Sequence, residues 1–213
     1  MNRLILILLL SIPFITNAQV VSDAKLWTGI TLNKKVDKFS FAFKNQARFN
    51  ENMSHLYKVF TDIGADYKIV KGLYVGANYR FNRFNYYETK NYELYHRFSL
   101  GIAYKYKIEQ FKFSVKNRLQ YGTSKGNKNS TTFNRTKFVI AYKANDQFTP
   151  YISYELFYSF NIKYIVATRL ALGSKVKINE NNSIKAYYFF GDSYNVNNIK
   201  HNHVWGVTYS IKL

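Results

Sequence analysis

The sequence has no cysteine and only two prolines among its 213 residues. A chain without cysteine forms no disulfides, which excludes the small secreted scaffolds that depend on them. Two prolines and ten glycines are few for a soluble β-sandwich, whose many turns use more of both. Beyond residue 15, no apolar run approaches the roughly 18 uninterrupted residues of a membrane-spanning helix.

Acidic residues are also scarce. The chain has 12 Asp and Glu against 31 Lys and Arg, for a formal net charge of +19. Such an excess predicts an anionic partner, which is lipid phosphate, an acidic solute or nucleic acid.

The first 18 residues have the pattern of a secretory signal peptide. Asn2 and Arg3 precede the apolar run 4–15, and the small-residue stretch 16–18 precedes Gln19. The order of charge, apolar core and cleavage site is typical of an export signal and fits a buried N-terminal helix less well. We expect residues 1–18 to be cleaved, residues 19–213 to form one domain, and nucleic acid to be the weaker choice of partner for an exported chain.

Aromatic residues are abundant, with 20 Tyr and 18 Phe, and they alternate with polar ones. In the stretch 39–49 the apolar positions are Phe39, Phe41, Phe43, Ala47 and Phe49, and the polar ones are Ser40, Lys44, Gln46 and Arg48. A β-strand sends successive side chains to opposite faces, so this stretch has one apolar and one charged face. The apolar face meets either a protein core or lipid.

The same alternation recurs along the whole chain. It predicts strands at 27–33, 39–49, 56–68, 73–82, 94–107, 111–121, 133–143, 150–160, 164–178, 184–191 and 203–213. Short turns alternate with longer connections such as 83–93 and 122–132. We also expect an outward girdle formed by Tyr57, Tyr67, Tyr79, Tyr106, Tyr121, Tyr142 and Trp205. The pattern indicates an all-β fold, a single antiparallel transmembrane β-barrel of 10–12 strands with short periplasmic turns and longer extracellular loops.

The strand number follows less directly. Eleven segments are visible, but bacterial barrels with both termini in the periplasm have an even number of strands. The sequence therefore predicts ten strands if 27–33 does not span the membrane. It predicts twelve if one of the eleven segments contains two strands.

Several short motifs resemble the DUF2490 family of uncharacterised bacterial outer-membrane proteins. They are Trp27, Gln46-Ala47-Arg48, Tyr79-Arg80-Phe81, His96-Arg97, Asn117-Arg118-Leu119, Asn134-Arg135, Pro150-Tyr151 and Glu155-Leu156-Phe157. Each motif is weakly specific alone, and the likeness lies in their order and spacing over nearly the whole chain after residue 18. The resemblance implies an outer-membrane barrel and no established activity.

Six arginines fall on the inward face of this barrel. They are Arg48, Arg80, Arg97, Arg118, Arg135 and Arg169. Eight lysines share that face: Lys44, Lys58, Lys105, Lys112, Lys116, Lys137, Lys175 and Lys185. The opposing inward acids are Asp62, Asp66 and Glu155.

Two functions fit this charge pattern. Rings of Arg and Lys select anions in pores, and Arg matches the geometry of carboxylate and phosphate. One hypothesis is therefore a small diffusion channel or binding barrel for anionic solutes, such as acidic sugars. The other is a structural barrel in which the arginines pair with Asp62, Asp66 and Glu155 and plug the lumen, because side chains can largely fill barrels of this size.

The sequence predicts no enzyme, catalytic residue, metal or cofactor. Some small barrels hydrolyse lipids with Ser and His on their outer wall, but His96 and Ser99 are three residues apart and face opposite sides of a strand. His201 and His203 share a face, with no carboxylate or third ligand nearby in the sequence for a metal.

We expect the protein in the outer membrane of a Gram-negative bacterium, with a monomer favoured. The expected partners are outer-membrane lipid, lipopolysaccharide and a small anionic solute. Loop lysines such as Lys125, Lys128 and Lys200 are expected to meet anionic surface polysaccharide or solvent.

Overall fold

The computed structural model describes residues 22–86, 92–124, 130–194 and 199–213. The predicted signal peptide 1–18, Lys125 and Lys128, and the side chain of Lys200 lie outside the described parts. The strands are β1 Ser22–Val36, β2 Phe39–Asn50, β3 His55–Val70, β4 Leu73–Asn85, β5 Tyr92–Ile108, β6 Phe111–Ser124, β7 Thr131–Tyr142, β8 Phe148–Ser159, β9 Tyr164–Lys177, β10 Asn182–Tyr194 and β11 Ile199–Lys212. No helix long and apolar enough to cross a membrane was found among the described residues.

The strands form one closed barrel in which each pairs with its neighbours in the sequence. All these pairs are antiparallel, as in the register of Phe43 with Ile63 and of Gly76 with Gly101. The all-β barrel and its range of 10–12 strands are confirmed.

The barrel closes through one parallel pair, β1 with β11. Thr28 lies opposite Val207, and the register continues without a break from Ser22 to Asn33. An odd number of strands joined by hairpins leaves the first and last strands running in the same direction. The expectation of an even number was therefore wrong, and the segment 27–33 belongs to a full strand of 15 residues.

One end of the barrel has tighter connections than the other. Three hairpins at this end have two-residue turns, each with one residue in the left-handed region: Asp37 at φ 53°, Gly72 at φ 88° and Glu109 at φ 50°. At the other end, β4 continues to Asn85 and β6 to Ser124, so the connections there are shorter than the predicted 83–93 and 122–132. We call the two ends the short-turn end and the long-loop end.

Large apolar side chains cover the outside of the barrel. Phe98, Leu100 and Phe41 are 52%, 66% and 46% exposed. Such a continuous exposed belt is far larger than the apolar patches of soluble monomers and has the character of a lipid-facing wall. The apolar face of 39–49 therefore points outward, and its charged face points into the lumen.

Tyr57 departs from the predicted outward girdle. The register between β2 and β3 shifts next to Arg48, where Lys58 pairs with Arg48 and Leu56 with Phe49. This β-bulge leaves Tyr57 without a cross-strand partner, and Tyr57 lines an internal cavity. The prediction was wrong because a bulge adds one residue and reverses the alternation around it.

Candidate functional site: a basic lumen

Within the described ranges, three cavities follow one another along the interior of the barrel. A vestibule of about 720 Å³ lies at the short-turn end, a central cavity of about 320 Å³ follows, and a smaller one of about 210 Å³ lies towards the long loops. Lys137, Tyr151 and Lys185 line both the vestibule and the central cavity. Trp27, Arg48, Arg169 and Phe189 line both the central cavity and the smaller one. The three cavities therefore follow one path along the lumen.

All six predicted arginines face the lumen. Five of them line the central cavity: Arg48, Arg80, Arg97, Arg135 and Arg169. The sixth, Arg118, stands directly opposite Arg135 across β6 and β7. Each is presented by the polar face of an alternating strand, so the pleat of the sheet is what places them inside.

The three predicted acids pair with part of this charge. Asp62 accepts a hydrogen bond from Arg80 Nε at 2.7 Å. Asp66 Oδ1, on β3, lies 3.3 Å from Lys116 Nζ, on β6. The two intervening strands, β4 and β5, have Gly76 and Gly101 opposite each other. Glu155 is the most buried acid, with 5% of its surface exposed.

Glu155 holds a cluster of cations. Its carboxylate lies 2.5 Å from Arg135 Nη2, 2.5 Å from Lys137 Nζ and 4.0 Å from Arg169 Nη1. One negative charge therefore serves three positive ones, and the cluster keeps a net positive charge.

Three of the six arginines have no carboxylate within 4.0 Å among the described residues. They are Arg48, Arg97 and Arg118. Arg48 donates from Nε to Gln46 Oε1 at 3.1 Å. The Nε atoms of Arg97 and Arg118 are buried and make no hydrogen bond within the described chain.

Like charges also stand directly opposite each other on neighbouring strands. Arg80 pairs with Arg97 across β4 and β5, and Arg118 pairs with Arg135 across β6 and β7. Lys116 and Lys137 form a similar pair. Directly opposed like charges destabilise a sheet, so these three pairs cost the barrel stability.

Inward aromatic residues, which the sequence reasoning missed, hold several of the cations. The Arg48 guanidinium lies 3.5 Å from the Trp27 ring centroid, and that of Arg80 lies 3.7 Å from the centroid of Phe60. Phe60 is 1% exposed and Trp27 is 8% exposed. Cation–π contacts of this kind fix a guanidinium without neutralising its charge. Phe60 lies two residues from both Lys58 and Asp62, which were predicted to face the lumen. The period-two alternation of the strand would therefore have placed Phe60 on the lumen side as well.

The vestibule is basic as well. Its lysines are Lys112, Lys137, Lys143, Lys175, Lys177, Lys185 and Lys212, and its acids are Asp146 and Glu180. Lys143 pairs with Asp146 at 2.5 Å. The cations of the vestibule are therefore lysines, whereas the central cavity adds five arginines.

Among the residues that the structure describes, no histidine lines the three cavities, although Asp192, the partner of His201, lines the smallest one. His96 Nδ1 lies 2.7 Å from the Tyr79 hydroxyl on the outer wall, whereas Ser99 is 6% exposed on the opposite face. His201 Nδ1 lies 2.5 Å from Asp192, a carboxylate that the sequence reasoning did not place beside it. No group of three or more residues suited to a metal ion occurs in the part of the chain that the structure describes.

Comparison with known proteins identifies a family for this chain. Residues 24–202 match the model of a family described as "Protein of unknown function (DUF2490)". A comparison with curated proteins gave no match.

Solved barrels show low similarity to this chain. OmpT of Vibrio cholerae has 16% identity, with 74% of this chain and 56% of that one covered and a TM-score of 0.42. An anion-selective porin from Comamonas acidovorans has 11% identity, with 81% and 52% covered and a TM-score of 0.42. The β domain of the Bordetella autotransporter BrkA has 12% identity, with 79% and 82% covered and a TM-score of 0.47. The chain spans about half the length of the first two structures.

Proposed function

The chain belongs to the DUF2490 family, and because that family description names no activity, we propose a function from the lumen itself: a small anion-selective channel. Small anionic solutes would enter the lysine-rich vestibule and pass the arginines of the central cavity. An outer-membrane location in a Gram-negative bacterium is part of this proposal, as are contacts with outer-membrane lipid and lipopolysaccharide. It assigns the barrel no catalytic role.

One observation carries the proposal. Arg97 and Arg118 each stand opposite another arginine, and each has a buried Nε without a hydrogen-bond partner in the described chain. A purely structural interior would gain stability by pairing these charges or replacing them, since unpaired buried charge is costly. An anion in transit supplies the missing partner, and the field of a low-dielectric wall raises its local concentration.

The alternative function is a structural barrel with a plugged lumen. The cluster around Glu155 and the stacking of Arg48 on Trp27 favour it, because both fill space between the central cavity and its neighbours. The two functions differ in one measurable property, which is whether anions cross.

Anion flux into vesicles tests the proposal. The purified barrel is reconstituted into lipid vesicles that contain a chloride-sensitive fluorescent dye, and chloride influx is recorded after mixing. We expect influx well above that of protein-free vesicles. Arg97→Gln should slow it by about fivefold, because one charge about 4 Å from the path contributes about 1 kcal/mol even in water.

Lys163→Gln is the matched control, since it also removes one positive charge but lies in the exposed turn between β8 and β9. Its influx should equal that of the wild type. Influx at the level of protein-free vesicles, or equal influx in the two variants, would reject the channel and favour the plugged barrel.

A further inference from the structure

The outer wall carries a groove near the long-loop end of β3 and β4. It has a volume of about 260 Å³, and its outward lining includes Leu56, Val59, Thr61, Phe81, Arg83 and Tyr92. Val59 and Thr61 lie on the strand face opposite that of Phe60, which is buried in the lumen. The inward residues Lys58 and Phe60 also line the groove, and Phe60 lines the central cavity as well. The wall formed by β3 at Phe60 therefore lies between the groove and the lumen.

Small side chains create this groove. Thr61 stands opposite Phe81, and Val59 stands opposite Arg83, across the β3–β4 pair. Two small residues on β3 thus form a floor between larger side chains on β4 and Leu56. The β-bulge at Tyr57 lies at the same end of β3, where bulges bend a strand and change its twist.

Two cations, Arg83 and Lys58, line the groove. Lys58 belongs to the inward face, where its Nζ lies 4.1 Å from the Phe84 ring centroid, so Arg83 is the cation on the outward face. The described residues contain seven arginines, of which six face the lumen and Arg83 alone faces outward. Its guanidinium lies 3.8 Å from the ring centroid of Tyr92. None of the ion pairs within the described ranges involves Arg83, so the contact that holds it leaves its charge available.

The position of Arg83 corresponds to the level of lipid headgroups. It lies two residues before the end of β4, beside an exposed Tyr92, and aromatic residues of barrels gather at the membrane interface. Thr61 and Phe81 lie two residues farther from the long-loop end than the opposed pair Val59 and Arg83, on the side of the groove towards the apolar belt. A ligand that fits both parts has an anionic head and an apolar tail.

We propose that this groove binds lipid A, the phosphorylated lipid of the outer leaflet. One acyl chain lies over Thr61 beside Phe81, and a lipid phosphate accepts hydrogen bonds from the Arg83 guanidinium. Arginine presents a planar fork that suits phosphate. The inference rests on the outer-membrane location in the proposed function, with the long loops outside, but is independent of anion passage through the lumen.

Lipid binding by native mass spectrometry tests this inference. The delipidated barrel in detergent is titrated with diphosphoryl lipid A and, separately, with lipid A from which both phosphates have been removed. We expect one tightly held diphosphoryl lipid A per barrel. Arg83→Gln should weaken its binding by about tenfold, because it removes the charge-assisted hydrogen bonds to the lipid phosphate.

Two further variants complete the design. Val59→Phe fills the floor of the groove, keeps Arg83 and should also weaken binding, whereas Lys163→Gln removes a positive charge from another turn at the same end and should bind as the wild type does. The heat-dependent gel mobility of folded barrels confirms that each variant is folded. Equal binding by Arg83→Gln and Lys163→Gln would overturn the inference, as would equal binding of phosphorylated and dephosphorylated lipid A. Chloride influx through Arg83→Gln should match that of the wild type, so a failure here is distinct from a failure of the channel.

Discussion

Individual charged residues in the lumen serve two purposes. Glu155 is buried and close to three cations, which is an arrangement that stabilises. Arg97 and Arg118 face other arginines, which is an arrangement that costs stability. The same lumen thus contains a supporting cluster and a set of unpaired cations, and substitutions should separate them.

Glu155→Gln should destabilise the barrel. The substitution keeps the size of the side chain but removes the negative charge shared by Arg135, Lys137 and Arg169, which then repel one another. Removing one partner of a buried ion pair costs about 3–5 kcal/mol. The midpoint of guanidinium-induced unfolding in detergent micelles measures this loss.

Asp146→Asn is the control for Glu155→Gln. Asp146 also pairs with a lysine, but its side chain is 89% exposed, and exposed pairs contribute little. Its unfolding midpoint should match that of the wild type. If Glu155→Gln unfolds at the same midpoint as Asp146→Asn, the Glu155 cluster has no supporting role.

At the residue level, the alternation of polar and apolar residues predicted which side chains face the lumen. It failed where a β-bulge interrupts the strand. The inward positions of Arg80 and Asp62 follow from strict period-two spacing, and the structure pairs them. Tyr57 was misplaced because a bulge depends on the register between two strands, which one strand's sequence does not contain. The contact of His201 with Asp192 was missed for the same reason, since it requires the register of β10 with β11.

At the level of elements, strand centres were predicted better than strand ends. The predicted segment 39–49 agrees with β2, which is Phe39–Asn50, whereas 184–191 lies within the longer β10, Asn182–Tyr194. Apolar alternation fades where a strand leaves the lipid, although backbone pairing continues there. Asp192 and Ser193, for example, still pair with His201 and Lys200.

The parallel pairing of β1 with β11, which closes the barrel, was not predicted from the sequence. Each strand shows alternation, but the partner of a terminal strand depends on how the whole sheet curves. The closure has a direct test because the chain has no cysteine, so introduced thiols are the only ones present.

Cysteines at Ile30 and Tyr209 should cross-link through a short thiol-specific reagent. The two positions are register partners across β1 and β11. An Ile30→Cys, Ile102→Cys pair, which joins strands that are not neighbours in the barrel, should remain uncross-linked. Gel mobility of the denatured protein distinguishes the products.

A ten- or twelve-stranded barrel predicts the opposite result for the first pair. If Ile30 and Tyr209 fail to react while the antiparallel partners Ile30 and Asn45 cross-link, then β1 does not close the barrel beside β11.

At the level of the whole molecule, the charge distribution is the dominant property. The net charge of +19 predicted an anionic partner, and ten of the fourteen cations that were predicted to face inward line the cavities along the lumen. In the proposed function, the field of these inward cations favours anions over cations. How side chains such as Trp27 divide that path was not predictable, because it depends on contacts between strands distant in the sequence.

The reversal potential of single barrels in a planar bilayer tests the central claim most directly. With a tenfold gradient of potassium chloride across the membrane, the current should reverse at a potential with the sign set by chloride. The double variant Arg97→Gln, Arg118→Gln should move this potential towards zero. Each of these arginines faces another arginine and has no carboxylate partner among the described residues. A potential with the sign set by potassium, or no conductance above that of the bare bilayer, would contradict an anion-selective lumen.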